Sequence, residues 1–495
     1  MSKSVALLLV LVFLMATNVI AVQPIKAEPS TIVVPDDYPT IAAAIGNATE
    51  GDTVFVNKGT YAEKPFKINK TLSLIGEGAD STKISFNPPH TEVTVNIFER
   101  YTFYEDPIVV VADDFTLSGF NITSSGGSIS IKGNRTRITN NVITREIYVA
   151  GGSCSVISEN LFTGGVGFNG TYCKVSSNSF WCNLYGGGRY VIFSSNNCHW
   201  GRASIVGDDC LITDNQVNQS PSAFSVGGIN NIVSKNTIDH VGFGLSVAGL
   251  NSKAFLNQVT HCGIGLIPSA GSIFFANYIA NNGWGIDTGG DLVNPNGTLS
   301  TIFHNNFVNN RYQVNTLGYY ETDYYDNDEE GNYWDDYQGK DANGDGIGDT
   351  AYVIDENRSD RYPLIAPFDV DSVVVELPEW ASPPSVLLIS PENTTYISAN
   401  VTLEFTVNKQ TSWMGYSLDG QETVTITDNT TLTGLSSGLH NVTIYSKDFF
   451  ENIATSETIW FSITEPFPTT IVIATVVSLA AIGVVLLVYF KKRKH

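Results

Sequence analysis

The chain has 495 residues and a formal net charge of −22, although only 15% of its residues are charged. This length leaves room for two or three domains. With 27 Lys and Arg against 49 Asp and Glu, the chain lacks the cationic surface that neutralises phosphates, so nucleic acid is excluded as a partner.

Segment 1–27 has the order of a secretory signal peptide. Lys3 precedes an apolar run from Val5 to Met15, and small residues follow at Ala21 and Ala27. This order is typical of secretory signals, although a retained N-terminal anchor would have a similar pattern. We therefore expect the body of the protein to lie outside the cell, where its twelve Asn-x-Ser/Thr sequons suit a glycoprotein.

Segment 31–61 is predicted to cap a repetitive domain. Residues 39–45 are expected to form a short helix, and Thr53–Val56 a first strand. A stack of strands exposes unpaired edges at its open end, and a helix at this position would cover them.

A repeat of the form apolar-x-x-Asn-x-apolar begins at Ile138 and recurs every 18 to 21 residues. Each unit contains short alternating strands separated by Asn and Gly turns. Such units stack as coils of a β-solenoid, with neighbouring coils about 4.8 Å apart. We expect the repeat asparagines to bond from coil to coil as a structural ladder. They are Asn141, Asn160, Asn178, Asn196, Asn215, Asn236, Asn257 and Asn277.

The six cysteines all fall between Cys154 and Cys262. None of them has a CxxC metal spacing. Two interpretations stay open, because some of them could form disulfides outside the cell and all could equally be free thiols in a core.

Two histidines, His240 and His261, each lie four residues after a repeat asparagine. In register they would lie on neighbouring coils about 5 Å apart. Together with Cys262 they could bind copper or zinc, or they could simply replace turn residues and stack. The chain has only seven histidines and no Met-rich tract, which argues against copper as a cofactor.

Exposed aromatic side chains on the solenoid could bind a polysaccharide or a cell-envelope glycan, because each pairs an apolar face with a polar edge. The candidates are Trp181, Tyr185, Tyr190, Trp200 and Trp284. Glycoside hydrolysis would need two carboxylates about 5 to 9 Å apart, and the carboxylates of the repeats do not recur in one column. A lyase base cannot be nominated either, so no catalytic residue is predicted.

The sequence DANGDGIGD resembles a calcium-binding loop. Its oxygen ligands on alternate residues would be Asp341, Asn343, Asp345, the Ile347 carbonyl and Asp349. Hard oxygens at this spacing let a single loop wrap around Ca²⁺. Tyr352 occupies the place of the bidentate Glu of an EF-hand, and a turn cluster that closes the solenoid is the alternative.

The stretch GNYWDDYQGKDANGDGIGDTAYVIDENRSDRYPL (residues 331–364), the GDTVFV strand at 51–56 and the asparagine repeats resemble the NosD-type β-helix family. The resemblance covers residues 31–368. It implies a right-handed parallel β-helix of the pectin-lyase-like kind, within a wider group of carbohydrate-binding and sugar-hydrolase proteins. The family takes its name from periplasmic members that help supply copper to nitrous oxide reductase. This chain departs from them in its C-terminal extension and membrane anchor.

The C-terminal part changes pattern after a proline-punctuated linker, residues 369–384. Alternating strands over residues 385–465 predict a small β-sandwich that resembles immunoglobulin-like modules. Residues 469–490 are long and apolar enough for one transmembrane helix, and the basic tail 491–495 is expected to be cytoplasmic.

The sequence therefore predicts an all-β, single-pass membrane protein whose body is extracellular. Its favoured function is to bind carbohydrate, or to contribute to the cell envelope, without catalysis. A polysaccharide lyase or glycoside hydrolase on the same β-helix is the first alternative, and a NosD-like copper or metal delivery protein is the second. Fold alone does not decide between them.

Overall fold

Most of the described chain is one solenoid of three parallel sheets. The computed structural model describes residues 28–96, 99–288, 299–315, 323–464 and 469–492. The predicted signal peptide, residues 1–27, and the end of the predicted basic tail, residues 493–495, lie outside these ranges.

Successive coils contribute one strand to each sheet in turn. Sheet 1 contains Thr31–Val34, Thr53–Val56, Ser73–Gly76, Thr116–Ser118, Arg137–Thr139, Val156–Ser158, Lys174–Ser176, Ile192–Ser194, Leu211–Thr213, Ile232–Ser234, Lys253–Phe255, Ile273–Phe275 and Thr301–Phe303. Sheet 2 contains Gly59–Glu63, Thr82–Phe86, Asn121–Ser124, Val142–Ile143, Leu161–Phe162, Ser179–Phe180, Asn197–His199, Gln216–Asn218, Thr237–Asp239, Gln258–Thr260, Tyr278–Ala280, Asn306–Val308 and Tyr333–Trp334. Sheet 3 contains Phe66–Ile68, Ile108–Val110, Ile129–Ile131, Ile147–Ala150, Val166–Thr171, Leu184–Arg189, Ala203–Asp208, Phe224–Gly227, Phe243–Ala248, Ile264–Ser269, Trp284–Asp287 and Tyr312–Asn315.

Parallel pairing in strict register aligns equivalent residues from coil to coil. In sheet 1, Ile212, Val233 and Ala254 are direct partners, and all three are fully buried. Their neighbours along each strand point the other way, because successive side chains of a strand alternate between its two faces. This topology is that of a right-handed parallel β-helix, and it confirms the predicted solenoid.

The repeat asparagines form a buried ladder along the bend between sheets 1 and 2, which we call the asparagine corner. The backbone N–H and the Nδ2 of Asn215 both donate to Oδ1 of Asn236, at 3.0 and 2.9 Å. Nδ2 of Asn215 also donates to the Phe193 carbonyl one coil back, at 2.9 Å. The same pattern runs through Asn141, Asn160, Asn178, Asn196, Asn215, Asn236, Asn257, Asn277, Asn305 and Asn332. The predicted structural role of these asparagines is thereby confirmed.

A fully buried carboxylate, Asp360, ends the ladder. Its Oδ2 accepts the Asn332 N–H at 2.7 Å and the Trp334 Nε1–H at 2.9 Å, and its Oδ1 accepts the Tyr362 N–H at 3.0 Å. Burial raises the pKa of Asp360 to about 6, although the three N–H donors act in the opposite direction.

Helix α1, Ile41–Asn47, covers the N-terminal end of the solenoid. The Thr40 side chain caps it by accepting the Ala43 N–H, and Glu63 accepts the Ile41 N–H at 2.8 Å. Ile41, Ala44 and Ile45 are buried against the coils. Sequence analysis places this helix at residues 39–45; it begins later because Thr40 serves as its N-cap.

A β-sandwich-like region follows a linker that contains the short 3-10 helix Val370–Ser372. Its two sheets contain Val386–Ser390, Val401–Val407 and Thr430–Leu432, and Thr395–Tyr396, Ile459–Ile463, Gly438–Lys447, Trp413–Leu418, Val424–Ile426 and Ile453–Thr455. Phe450 and Trp380 pack against Ile192 and Leu211 on the outer face of sheet 1. An ion pair between Arg137 and Glu451 joins the same two regions.

Helix α2, Thr469–Lys492, is the last element. Its described apolar side chains, such as Leu479 and Leu487, are exposed. In the part of the chain that the structure describes, we find no helix long and apolar enough to cross a membrane. The side chains of residues 469–475, which belong to the predicted span, are outside that description.

Two short antiparallel pairs complete the elements. They are His90–Asn96 with Glu99–Tyr104, and Tyr352–Val353 with Ser359–Asp360. The first lies in the polar insertion between two early coils, and the second brings Asp360 to the end of the ladder.

Candidate functional site

A second bend, between sheets 2 and 3, turns each later coil through a residue in the left-handed region. We call it the variable corner, because its residue type changes along the stack of coils. They are Trp200 (φ 60), Gln219 (φ 52), His240 (φ 53), His261 (φ 53), Asn281 (φ 58) and Asn309 (φ 51). All six are exposed. The predicted placement of His240 and His261 at equivalent positions of neighbouring coils is therefore confirmed.

His240 and His261 stack on neighbouring coils, with ring centroids 4.8 Å apart and an interplanar angle of 19°. Asp239 lies between them. Its Oδ2 is 2.6 Å from Nδ1 of His240, and its Oδ1 is 2.8 Å from Nδ1 of His261. Thr260 also donates to Oδ1 of Asp239 at 2.7 Å. One carboxylate thus holds two imidazole rings side by side.

The electrostatics of Asp239 reflect these donors. Partial burial raises its pKa, but hydrogen bonds from Thr260, His261 and His240 outweigh that effect and hold the pKa at about 2. Asp239 is therefore an ionised acceptor at neutral pH, and the nitrogen that faces it on each ring carries a proton. The sequence did not single out Asp239, although it directly precedes His240.

Cys262 does not join the two histidines, which corrects its predicted role as a metal ligand. Its side chain is buried, and its Sγ donates to the Thr260 carbonyl at 3.1 Å. Burial raises the pKa of this thiol to about 11. In the bend between the strands Gln258–Thr260 and Ile264–Ser269, Cys262 turns inward while its neighbour His261 faces solvent. All six cysteines of the chain are free thiols.

Three predicted aromatic residues are exposed on the N-terminal side of the variable corner. Trp200 is 63% exposed, Tyr185 57% and Trp181 47%. The Trp181 ring stacks on His199 with a centroid distance of 4.5 Å, and Nδ1 of His199 is 2.5 Å from Oδ1 of Asn218.

A further column of residues, aromatic at three of its four positions, lies three residues after the variable corner. Phe243, Ile264, Trp284 and Tyr312 pair in register as the first residues of their sheet 3 strands. The Trp284 and Tyr312 rings stack at 6.0 Å, and Phe243 and Tyr312 are about half exposed. Sequence analysis identified Trp284 but missed Phe243 and Tyr312, although their common spacing from His240 and Asn309 was a usable signal.

These groups form one continuous surface, which we call the corner strip. Its aromatic members are Trp181, Trp200, Phe243, Trp284 and Tyr312, and its polar members are Asn218, Gln219, Asp239, His240, His261 and Asn281. Six in-register coil steps separate the Trp181 coil from the Tyr312 coil, which corresponds to roughly 29 Å at about 4.8 Å per step.

Tyr190 lies elsewhere, which corrects its prediction as a free stacking platform. Its ring is 4.9 Å from that of Tyr172 and 5.4 Å from that of Trp380. It therefore packs at the contact between the solenoid and the β-sandwich-like region, a contact between segments far apart in sequence.

The predicted calcium loop is exposed and folds around Asp341. Oδ1 of Asp341 accepts the Gly344 N–H at 2.6 Å, and its Oδ2 accepts the Gly346 N–H at 2.9 Å. These N–H donors lower the pKa of Asp341. Asp349 accepts the Ala342 N–H at 2.9 Å, and Asp345 accepts the Ile347 N–H at 2.9 Å. Calcium binding stays a prediction.

Comparisons with known proteins leave the family open. No family model matches the sequence, and no curated protein matches it. A PL6 family alginate lyase aligns with 12% identity and a TM-score of 0.36, covering 58% of this chain and 53% of the lyase. A hyperthermoactive exopolygalacturonase from Thermotoga maritima aligns with 10% identity and a TM-score of 0.36, covering 58% of this chain and 89% of that one. The fold assignment rests on the strand pairing described above, and the NosD-type resemblance stays a prediction.

Proposed function

We propose that the protein binds a polysaccharide or a cell-envelope glycan along the corner strip without cleaving it. The observation that carries the proposal is the alignment of exposed aromatic and polar side chains on consecutive coils. A glycan repeats along its length, and a surface that repeats at about 4.8 Å can offer it a series of similar contacts. The rings provide apolar faces for sugars, and the amides and imidazoles provide hydrogen-bonding groups.

The scaffold beneath the strip supports this role. Each strip residue belongs to, or directly follows, a strand whose inward neighbours are buried, such as Ile238 and Val259. Parallel pairing on both sides fixes the register of these strands. A surface held by such a core loses little conformational entropy when it binds a ligand.

The distribution of carboxylates favours binding over hydrolysis. Hydrolysis of a glycosidic bond generally requires two carboxylates, about 5 to 9.5 Å apart. Asp239 is the single carboxylate among the corner-strip residues, and its oxygens already accept from Thr260 and the two histidines. A lyase on the same strip is the alternative, and the experiment below distinguishes it.

The test measures whether the immobilised full chain retains any of a panel of neutral and acidic polysaccharides. Release of reducing and unsaturated ends is measured in parallel. We expect retention of at least one polysaccharide without release. Trp200→Ala and Phe243→Ala should each weaken it by about three- to tenfold, in line with the loss of one aromatic contact.

The matched control is Trp460→Ala, which removes an aromatic side chain that is 48% exposed on the β-sandwich-like region, outside the strip. Retention that is equally strong in the strip variants and in this control would refute the proposed site. Release of unsaturated or reducing ends by the wild type, lost in a strip variant, would replace binding with catalysis.

We also propose that binding takes place at the cell surface, with segment 1–27 removed and segment 469–490 crossing the membrane. The exposed apolar side chains of helix α2, such as Leu479 and Leu487, support this location because a large apolar surface is unfavourable in water. Alkaline extraction of membranes and protease treatment of intact cells test it. Release of the chain from membranes by alkaline extraction, or its resistance to protease added to intact cells, would contradict the proposed location. Neither result would bear on glycan binding.

A further inference from the structure

We propose that Asp239, His240 and His261 form a binding site for a late first-row divalent transition-metal ion such as Zn²⁺. The three residues come from two neighbouring coils, and one ligand atom from each lies within 4.8 Å of the others. Among the described residues, this is the one group of three His, Cys, Asp or Glu side chains that meets this condition. The inference does not depend on glycan binding.

The distances suit an ion. Zn²⁺ bonds to imidazole nitrogen and carboxylate oxygen are about 2.0 to 2.2 Å long, so the ligand atoms around one tetrahedral ion lie roughly 3.3 Å apart. The present nitrogen–oxygen distances of 2.6 and 2.8 Å are those of hydrogen bonds. The three side chains are partly exposed, and a movement of less than about 1 Å that separates their ligand atoms is enough to accept the ion.

The exchange is chemically balanced. Each Nδ1 now donates its proton to the carboxylate of Asp239. When a dication takes Nδ1 as a ligand, the proton leaves Nδ1 and a neutral ring takes up a proton on Nε2, so the ring changes tautomer and binds as a neutral imidazole. The ion then binds the ionised carboxylate of Asp239, which previously accepted the hydrogen bonds from the two imidazole rings. No oxidant or reductant is needed, because the ion binds without change of oxidation state.

The donor set selects the class of ion. Two imidazole nitrogens and one carboxylate oxygen suit zinc, copper or nickel, whereas calcium and magnesium prefer oxygen ligands throughout. Three protein ligands leave at least one coordination position of a tetrahedral ion for water. Because His240 and His261 are exposed, that position opens to solvent.

The neighbouring groups hold the ligands in place. The buried Thr260 donates to Asp239 at 2.7 Å and fixes the orientation of its carboxylate, as outer-shell groups do in metal sites. Parallel pairing of Asp239 with Thr260 sets the spacing of the two coils. The site is therefore partly organised before an ion arrives.

The test is titration of the full chain with Zn²⁺ by calorimetry, in the presence of excess Ca²⁺ so that the loop at 341–349 does not compete. Co²⁺ serves as a spectroscopic probe, because its visible bands report coordination number and nitrogen ligation. We expect one ion to be bound per chain and a tetrahedral Co²⁺ spectrum. Asp239→Asn, His240→Asn and His261→Asn should each weaken binding by about tenfold or more.

The variants are chosen to preserve the fold. Asn accepts the left-handed conformation of His240 and His261, and Asn281 already occupies the same position one coil later. The matched control is His90→Asn on the insertion hairpin, which should bind Zn²⁺ as the wild type does. If the wild type binds no Zn²⁺, or if the three site variants bind it as tightly as the control does, the inference is wrong.

Discussion

The two bends on either side of sheet 2 have the same backbone geometry and opposite chemistry. At the asparagine corner, the residue that precedes each ladder asparagine from Asn141 to Asn305 is left-handed, as at Asp214 (φ 57) and Lys235 (φ 55). At the variable corner, Gln219 (φ 52) and His240 (φ 53) are left-handed as well. The first corner then buries an asparagine in coil after coil, whereas the second exposes side chains of four residue types over six coils.

This difference shows where a solenoid can acquire a function. Each ladder asparagine bonds to the coils before and after it, so a change in one coil leaves groups unpaired in its neighbours. At the variable corner the backbone needs only a residue that tolerates positive φ, and the side chain is free to face solvent. The constant column therefore maintains the stack, and the changing column offers ligand-binding groups.

The largest expected effect is that of Asn236→Ala in the ladder. It removes an Nδ2 donor to the Ile212 carbonyl at 3.0 Å and an Oδ1 that accepts two hydrogen bonds from Asn215. Because each buried group left unpaired costs about 1 to 3 kcal/mol, we expect the free energy of unfolding to fall by about 3 kcal/mol or more. Equilibrium denaturation of the purified chain measures it.

Gln219→Asn is the matched change at the variable corner, since Asn keeps the left-handed backbone. It should alter the free energy of unfolding by less than about 0.5 kcal/mol. Equal losses in the two variants would show that both corners maintain the stack, and the contrast between them would fail.

A second prediction concerns the end of the ladder and its dependence on pH. The pKa of Asp360 is raised from 3.8 to about 6, so between these values the folded state binds more protons than the unfolded state. Stability contributed by this group is complete below pH 4 and declines as the pH rises through 6. The total change is up to about 3 kcal/mol at about 1.36 kcal/mol per pKa unit.

Asp360→Asn tests the predicted decline of stability with rising pH. The amide keeps one acceptor for the Asn332 N–H but does not titrate, so the decline between pH 4 and 7 should be smaller than in the wild type. Denaturation midpoints of both proteins at several pH values measure this difference. An unchanged decline would assign the pH dependence to other groups.

The last prediction concerns the effect of calcium on the loop 341–349, which lies in sequence between the last two ladder acceptors, Asn332 and Asp360. If Ca²⁺ binds the folded loop, a concentration ten times its Kd stabilises the fold by about 1.4 kcal/mol. We expect a higher melting temperature with Ca²⁺ than with EDTA, and no such difference in Asp341→Asn. Asp214→Asn, an exposed aspartate at the asparagine corner, should keep the wild-type response.

The sequence predicts the ladder and the pairing of His240 with His261 because both depend only on the repeat period. A fixed spacing in sequence becomes a fixed spacing in space once coils stack in register. The contribution of Asp239 is harder to predict from the sequence, because it depends on side-chain directions at a bend. The packing of Tyr190 is not predictable from the period at all, since Trp380 and Phe450 reach it from a distant part of the chain.

The position of the β-sandwich-like region decides which sides of the protein a ligand can approach. The three sheets are the faces of a prism, and Phe450 and Trp380 cover part of the face formed by sheet 1. The edge between sheets 2 and 3 lies opposite that face. A polymer bound to the strip as proposed would therefore lie along this edge without meeting the sandwich, and the protein would then bind internal segments of a chain as readily as chain ends.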